Sequence, residues 1–236
     1  MDIIGDKMRK NQIEKIEVLR RVGWLSDCPA EIQAAIFDIA TVLRLEADAS
    51  VYQLGGEPGG FFGIEAGCVA FEAAQSSRAP QKGLIFHAGC WFGEVTLTGQ
   101  RVRLVGARTT RPSTLVSIER RRFLALAARQ PEIWRYVADL TADNLARVVG
   151  LAEDLMLRDS RQRLAATLVR LAGLREAFPP NPPVIDATQS EIAAIANLSR
   201  SMGSPLLQEL ERDGLIELNR SMILIADPPG LVQRTS

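Results

Sequence analysis

Residues 188–225 read TQSEIAAIANLSRSMGSPLLQELERDGLIELNRSMILI, and this stretch decides the fold of the C-terminal part of the chain. Thr188 and Glu191 stand three residues apart in front of an apolar run, which predicts a capping box that opens a short helix. The NL pair that follows predicts a tight turn, and Gly214 is suited to ending a second helix. LIEL, NRS and MILI then predict a hairpin with a polar turn, which completes the parts of a winged helix-turn-helix.

The start of the second helix is open to two interpretations because of Gly203 and Pro205. If Ser199 caps the helix, Pro205 is its sixth residue and removes one backbone hydrogen bond, at a cost of about 3 kcal/mol or more. If Ser204 caps the helix, Pro205 becomes its first residue, where proline is favoured. We therefore predict a late start, with a helix over 205–213 and SRSMG as an extended turn, or a marked kink at the same place.

Units of this kind bind DNA by placing the second helix in the major groove, while the hairpin lies along the backbone. From residue 161 to 236 the chain carries eight basic and eight acidic residues. Attraction to phosphate must therefore come from segregated charges rather than from net charge. The residues predicted to contact DNA are Thr188, Gln189, Ser199, Arg200, Ser201, Ser204 and Arg220.

The segment 49–118 consists of short apolar runs punctuated by glycine and proline, such as FFGIEAGCVAF and KGLIFHAGCWFGEVTL. Runs of strand length with frequent breaks predict an antiparallel sandwich or roll. Before it, the apolar spacing of residues 26–43 predicts a helix with Pro29 near its start. The chain as a whole is therefore expected to be α+β.

The longest predicted helix covers 131–158, and Asp159 or Ser160 is suited to capping a further helix that runs to about Ala177. The long helix has a row of residues four and three apart, which is typical of a seam between paired helices. We expect it to pair with a second copy, because so long a helix exceeds what one small roll can cover. Packing of the row on the roll is the alternative. The row consists of Ile133, Val137, Leu140, Asn144, Val148, Leu151 and Leu155.

FFGIEAGCVAF, WFGEVTL, DLMLRDSRQRLAATLVRLAG and TQSEIAAIANLSRSM with LLQELERDGLIEL resemble the Crp/Fnr superfamily of bacterial transcription regulators along almost the full chain. The resemblance implies a homodimer that binds a palindromic site in double-stranded DNA, with RNA polymerase as a further candidate partner. It also implies an N-terminal antiparallel β-roll, a double-stranded β-helix of jelly-roll type that senses an effector. The expected domains are a cyclic-nucleotide-binding-like roll at 1–130, a dimerisation helix and hinge at 131–159, and a winged helix-turn-helix at 160–236.

Departures from the family pattern bear on the effector. The resemblance assigns a Gly-Glu pair to ribose and a downstream Arg-Ser pair to phosphate; this chain keeps Glu94 but follows Arg103 with Leu104, and Arg101 is a second candidate arginine. Two valines stand where a polar pair recognises adenine, which leaves purine atoms unpaired at about 1–3 kcal/mol each. Cyclic AMP is therefore disfavoured; another small molecule, no effector, or a structural role for Glu94 are the alternatives. The candidate effector residues are Phe92, Gly93, Glu94, Arg103, Leu104, Val148 and Val149.

Other chemistries have little support in the sequence. Three scattered cysteines and the single His87 predict neither an iron–sulfur cluster, nor haem, nor a metal site. GGEPGG lacks the GK[ST] ending of a phosphate loop and predicts a turn, and the absence of a GxSxG motif argues against an enzyme. No run approaches about 18 apolar residues and the start does not resemble a signal peptide, so we expect a cytoplasmic protein. The alternative function is a dimeric sensor or scaffold whose degenerate winged helix binds a protein partner instead of DNA.

Overall fold

The computed structural model describes residues 13–73, 81–99, 102–176 and 179–235. Two compact units account for the chain, one formed by Met1–Ala73 with Phe86–Leu145 and the other by Ala74–Ile85 with Ala146–Ser236. The helices are α1 (Val18–Arg21), α2 (Ala30–Ile39), α3 (Arg120–Arg129), α4 (Ile133–Met156), α5 (Ser160–Leu171), α6 (Gln189–Ile195), α7 (Arg200–Arg212) and α8 (Pro228–Gln233). The strands are β1 (Ala40–Leu45), β2 (Ser50–Tyr52), β3 (Phe61–Ala66), β4 (Cys68–Ala73), β5 (Gln81–His87), β6 (Trp91–Phe92), β7 (Gly106–Thr109), β8 (Ser113–Ile118), β9 (Val184–Ile185), β10 (Ile216–Leu218) and β11 (Ile223–Ile225).

The roll predicted for the N-terminal part is built from two four-stranded antiparallel sheets, with strand orders β1-β8-β3-β6 and β2-β7-β4-β5. Its core is aromatic: Trp24, Phe61, Trp91 and Phe123 pack with ring centroids 5.4 to 5.9 Å apart. Such contacts add specific geometry to the burial of large apolar surface. The predicted α+β fold class is confirmed.

The helix predicted over residues 26–43 is shorter than expected. Pro29 precedes α2 as its N-cap, but the helix ends at Ile39. From Ala40 the chain is strand β1, paired with β8 from Ala40↔Ile118 to Leu45↔Ser113. Thr41 and Val42 are β-branched, so a half-buried sheet suits them better than a continued helix, and the prediction beyond Ile39 was wrong.

Helix α4 lies close to the predicted bounds, but its apolar row is used differently. Ile133, Val137 and Leu140 are at most 3% exposed and belong to the hydrophobic core of the first unit. Asn144 donates its side-chain amide to the Trp91 carbonyl at 3.1 Å. Ile133, Val137, Leu140 and Asn144 therefore make their contacts within one subunit. The expectation that they contact a second copy is corrected, and they pack on the roll instead.

A second row on α4 is exposed instead. Its members are spaced four and three residues apart along the helix, which is the periodicity of a pairing seam. Leu145 is 61% exposed, Val149 48% and Met156 79%. We call this row the outer seam; it consists of Ala138, Ala142, Leu145, Val149, Ala152 and Met156. Of the predicted row, Val148 and Leu155 are also exposed, at 48% and 38%.

The winged helix-turn-helix lies in the second unit. The capping box of Thr188 and Glu191 opens α6 and a turn follows it, both as predicted. Asn197 takes a left-handed conformation (φ 53°) in that turn. Asp159 caps α5 through the backbone N–H groups of Arg161 and Gln162, although α5 ends at Leu171 rather than near residue 177. The wing strands β10 and β11 pair antiparallel, and β11 also pairs with β9.

The late start predicted for the second helix was wrong. α7 begins at Arg200 and contains Pro205, and the Ser199 hydroxyl accepts a hydrogen bond from the Met202 backbone N–H at 3.3 Å. Its far end is as predicted: Gly214 has φ +72° and donates to the Glu211 carbonyl. Glycine is favoured there because the left-handed conformation carries no Cβ penalty.

Candidate nucleic-acid interface and sensor site

Gly203 explains why α7 begins early. A Cβ on this residue would lie 2.5 Å from the Ala193 Cβ and 3.3 Å from its Cα, so α6 and α7 approach at a distance that only glycine permits. This contact requires residues 200–203 to be helical. The proline costs only one backbone bond, to the carbonyl of the exposed Ser201, where water can replace it. Close packing and the Ser199 cap therefore outweigh the local preference of proline for a first-turn position.

A concavity of about 340 Å³ lies between the start of α6, the start of α7 and the wing turn. Five of the seven residues predicted to contact DNA line it, together with Ser190, which the sequence reasoning missed. Ser190 follows the capping residue by two positions, so its place in the first turn of α6 was a usable signal. The lining residues are Thr188, Gln189, Ser190, Arg200, Ser204 and Arg220. The other two predicted residues, Ser199 and Ser201, bond each other at 2.9 Å at the start of α7.

The basic residues of this unit are sorted by their contacts. From residue 161 onward, six arginines donate to carboxylates or carbonyls of the protein: 161, 163, 170, 175, 212 and 234. Within the described part of the chain, Arg200 and Arg220 make no side-chain hydrogen bond or ion pair. Both line the same concavity. Although residues 161–236 carry no net charge, the two arginines without a partner among the described residues lie on one face.

The first unit brings together four of the seven predicted effector residues. Glu94 is 3% exposed and accepts from the Asn144 amide of α4 at 3.1 Å. Phe92 is buried beside it, and Gly93 takes a left-handed conformation with φ +90°. Arg103 is 4% exposed and donates to the Gly93 carbonyl at 3.1 Å.

Burial and neighbouring groups shift the acidity of this cluster. Desolvation lowers the pKa of the Arg103 guanidinium, opposed by the nearby Tyr52 and Glu94. Burial likewise raises the pKa of the Tyr52 hydroxyl above its usual range, which the positive charge of Arg103 opposes. At neutral pH Tyr52 is a neutral phenol and Arg103 a charged guanidinium, as they are in water.

The remaining effector candidates do not join this cluster. Leu104 is 64% exposed, although its neighbour Arg103 is buried. Val148 and Val149 belong to the second unit and are each 48% exposed. Sequence reasoning grouped them through family positions, and the structure leaves that grouping as a prediction.

The described residues contain no group of three or more His, Cys, Asp or Glu that could hold a metal ion. Among the described residues Cys28, Cys68 and Cys90 are buried and form no disulfide, and the Cys68 sulfur lies 3.3 Å from Nδ1 of His87. Among the helices that the structure describes, none is both long and apolar enough to span a bilayer.

Two family models match the chain. The cyclic nucleotide-binding domain covers residues 42–130, and the Crp-like helix-turn-helix domain covers residues 162–234. A cyclic nucleotide-binding roll followed along the chain by a Crp-like helix-turn-helix domain is the domain order of a Crp-type regulator. The chain belongs to the Crp/Fnr superfamily.

Curated relatives match part of the chain. The Cyclic AMP receptor protein of Thermus thermophilus is 29% identical over 137 residues, 58% of this chain and 61% of the relative. The CRP-like cAMP-activated global transcriptional regulator of Mycobacterium tuberculosis is 30% identical over 146 residues, 61% of this chain and 65% of the relative. The chain thus matches less than two thirds of the length of these relatives.

Solved structures share the fold at lower identity. FixK2 from Bradyrhizobium japonicum superposes with a TM-score of 0.68 at 17% identity, covering 84% of this chain and 98% of that one. A CRP-family transcriptional regulator from Thermus thermophilus gives 0.64 at 23% identity, covering 82% and 96%. At these identities the likeness concerns the fold alone.

Proposed function

We propose that the protein is a cytoplasmic, homodimeric transcription regulator that binds a palindromic site in double-stranded DNA, with no catalytic role. The observation that carries this proposal is that Arg200 and Arg220 line one concavity; from residue 161 onward, they are the two arginines without a side-chain hydrogen bond or ion pair among the described residues. Cations held on one face attract a phosphate backbone even where the net charge is zero. We retain 1–130, 131–159 and 160–236 as the functional division of the chain.

Arg200 is the residue best placed to read a base. It is the first residue of α7, exposed, and next to the polar groups of Thr188, Gln189 and Ser204. A bidentate contact between arginine and guanine discriminates by about 1–3 kcal/mol. Family members carry a second arginine where this chain has Pro205, so we expect fewer base contacts and a broader sequence preference. The serine and threonine hydroxyls are suited to positioning contacts with phosphate.

Pairing through the outer seam supplies the second winged helix. Leu145, Val149 and Met156 are exposed along one face of α4 at heptad spacing, which favours a helix of a second copy. Two modules related by a two-fold axis suit half-sites one DNA turn apart, about 34–36 Å. This seam replaces the row that starts at Ile133 as our candidate interface.

Cyclic AMP remains disfavoured as effector, although relatives are described as cyclic AMP receptors or cAMP-activated regulators. Leu104 offers no hydroxyl for phosphate and is exposed. Val148 and Val149 offer no partner to a purine edge. A different small molecule, or none, fits these residues better.

The test is a mobility-shift assay on the protein's own promoter at low salt, with the wild type and Arg200→Ala. We expect a retarded complex that Arg200→Ala weakens by about 5- to 100-fold, corresponding to about 1–3 kcal/mol. Arg212→Ala is the matched control, because Arg212 is exposed but bonds the Gln208 carbonyl of its own helix outside the concavity. No retarded complex in low salt would instead favour a dimeric scaffold whose winged helix binds a protein.

A further inference from the structure

The glycine-rich GGEPGG segment, predicted from sequence as a turn, packs around the side chain of Arg103. A Cβ on Gly59 would lie 2.8 Å from Nη2 of Arg103, and a Cβ on Gly93 would lie 3.0 Å from Nη1. A Cβ on Gly56 would lie 3.9 Å from Cγ of the same side chain. We call these residues, with Gly60, the glycine cradle.

Within the glycine cradle the guanidinium is bound by the protein itself. Nη2 donates to the Gly60 carbonyl at 2.6 Å and Nη1 donates to the Gly93 carbonyl at 3.1 Å. The Tyr52 ring centroid lies 4.0 Å from Cζ, which adds a cation–π contact in a buried setting. The Arg103 backbone is fixed as well, because its N–H donates to the Gly56 carbonyl at 3.0 Å and its carbonyl accepts from Gly55 at 2.8 Å.

These contacts use two of the five N–H donors of the guanidinium, one on each terminal nitrogen. Phosphate recognition by arginine is strongest when two parallel N–H groups donate to two oxygens. Both terminal nitrogens of Arg103 already donate to carbonyls, and Nε is the guanidinium nitrogen with no partner among the described residues. An anion that bound both terminal nitrogens would have to share them with the Gly60 and Gly93 carbonyls, within a site that the Tyr52 ring also contacts.

We propose that Arg103 is a resident occupant of the roll, which holds its folded conformation through the glycine cradle without a bound cyclic nucleotide. The guanidinium already joins the Gly60 and Gly93 carbonyls, so this part of the roll is folded around Arg103 without a ligand. Arg103 is accordingly a positioning residue that joins the Gly55–Gly60 loop to Gly93. This inference concerns the roll and does not depend on whether the winged helix binds DNA.

The first experiment measures thermal unfolding of the full chain for the wild type, Arg103→Ala and the control Arg44→Ala, which removes an exposed arginine from strand β1. We expect Arg103→Ala to lower Tm by roughly 5–10 °C and Arg44→Ala by less than about 2 °C. Adding ethylguanidinium at about 20 mM should raise Tm of Arg103→Ala by about 2 °C or more through binding to the vacated cradle. The same additive should not raise Tm of the wild type, and ethylammonium should rescue neither protein.

The second experiment keeps Arg103 and changes the glycine cradle, so the proposal can be tested even if Arg103→Ala fails to fold. Gly59 does not have a positive φ, so alanine there should ordinarily stabilise a loop. We expect Gly59→Ala to lower Tm instead, because its methyl group meets Nη2. Gly106→Ala is the control, since its Cβ would have no atom nearer than 3.4 Å.

Two results would overturn the proposal. One is a Tm increase of the wild type with millimolar cyclic AMP or cyclic GMP that disappears in Arg103→Ala, since the guanidinium would then be a receptor for phosphate. The other is a Tm of Gly59→Ala equal to or above that of the wild type, since the cradle would then not hold the side chain. Unchanged wild-type Tm with both nucleotides, together with guanidinium rescue, supports the resident role.

Discussion

Asp154 and Arg170 form a buried ion pair, with Oδ2 of Asp154 2.8 Å from Nε of Arg170 and side-chain exposures of 4% and 8%. Asp154 also binds Arg175 at 2.7 Å, and Arg170 donates to the Gly83 carbonyl at 2.8 Å. Desolvation lowers the pKa of Arg170, while the hydrogen bond that Arg170 donates to Asp154 opposes the shift. The Asp154 carboxylate thus links the C-terminal end of α4 to α5 within the second unit.

Asp154→Asn should therefore destabilise the second unit strongly. Removing one partner of a buried pair leaves an uncompensated charge, at a cost of about 3–5 kcal/mol. Asp213→Asn is a matched control, because Asp213 and Arg234 also lie 2.7 Å apart but are 37% and 52% exposed. We expect that control to lose less than about 1 kcal/mol in urea unfolding. Equal losses would mean that burial does not set the strength of the Asp154 pair.

Gly203→Ala and Gly150→Ala should change stability in opposite directions, although both place alanine inside a helix. At Gly203 the new methyl group meets Ala193 at 2.5 Å, so we expect a loss of roughly 1–3 kcal/mol and weaker DNA binding. At Gly150 the nearest atom is 3.8 Å away, so the better helix propensity should stabilise the protein by about 0.5–1 kcal/mol. Urea unfolding measures both. A stabilising Gly203→Ala would contradict the close approach of α6 and α7.

Leu145→Glu should dissociate the proposed dimer. The substitution places a charge on the outer seam, where pairing would bury it, and should raise the dimer dissociation constant by about 100-fold or more. Leu104→Glu serves as the control, because Leu104 is similarly exposed at 64% but lies outside α4. Sedimentation equilibrium distinguishes the two variants. A dimeric Leu145→Glu protein would rule out pairing on this face of α4.

Glu65→Gln should loosen the start of the described chain. The Glu65 carboxylate accepts from the backbone N–H groups of Glu17, Val18 and Leu19 at 2.9 to 3.1 Å, so strand β3 supplies the cap of α1. Losing the charge should cost about 1–3 kcal/mol. Hydrogen exchange of the Val18 and Leu19 amides should accelerate. Glu57→Gln, at an exposed position, should leave that exchange unchanged.

Cys28 should make stability depend on alkaline pH. Burial raises the pKa of this thiol from 9.0 to about 12, with Asp27 and Asp139 adding to the shift. Since the folded state holds the proton more tightly, this contribution is complete below pH 9 and is lost as pH rises toward 12. Urea unfolding from about pH 8 to about pH 11 should show a steeper loss for the wild type than for Cys28→Ala. Parallel curves would mean that the thiol ionises equally in both states.

Local signals predicted the elements that depend on neighbouring residues. The Thr188 capping box, the Gly214 helix end and the wing hairpin each rest on chemistry within a few positions, and all three are confirmed. Pro205 was misjudged because its cost is local, whereas the contact that offsets it joins Gly203 to Ala193 on another helix. Propensity alone contains no information about that approach.

The sequence also could not predict which face of α4 packs on the roll and which is exposed. The row that includes Val137 and the row that includes Leu145 both satisfy a seam's periodicity, and only packing decides which one meets the roll. The sequence also could not predict which arginines form hydrogen bonds within the protein. Nothing in the sequence distinguishes Arg200, which is left uncommitted among the described residues, from Arg163, whose Nε donates to the Ala196 carbonyl.

Helix α4 presents Ile133 and Val137 to the interior of the first unit and Leu145 and Val149 to the outside. If the outer seam pairs with a second copy, as we propose, folding of the roll and dimerisation are linked by mass action. Melting of the roll would then shift upward with subunit concentration, and dilution alone would make the first unit easier to unfold.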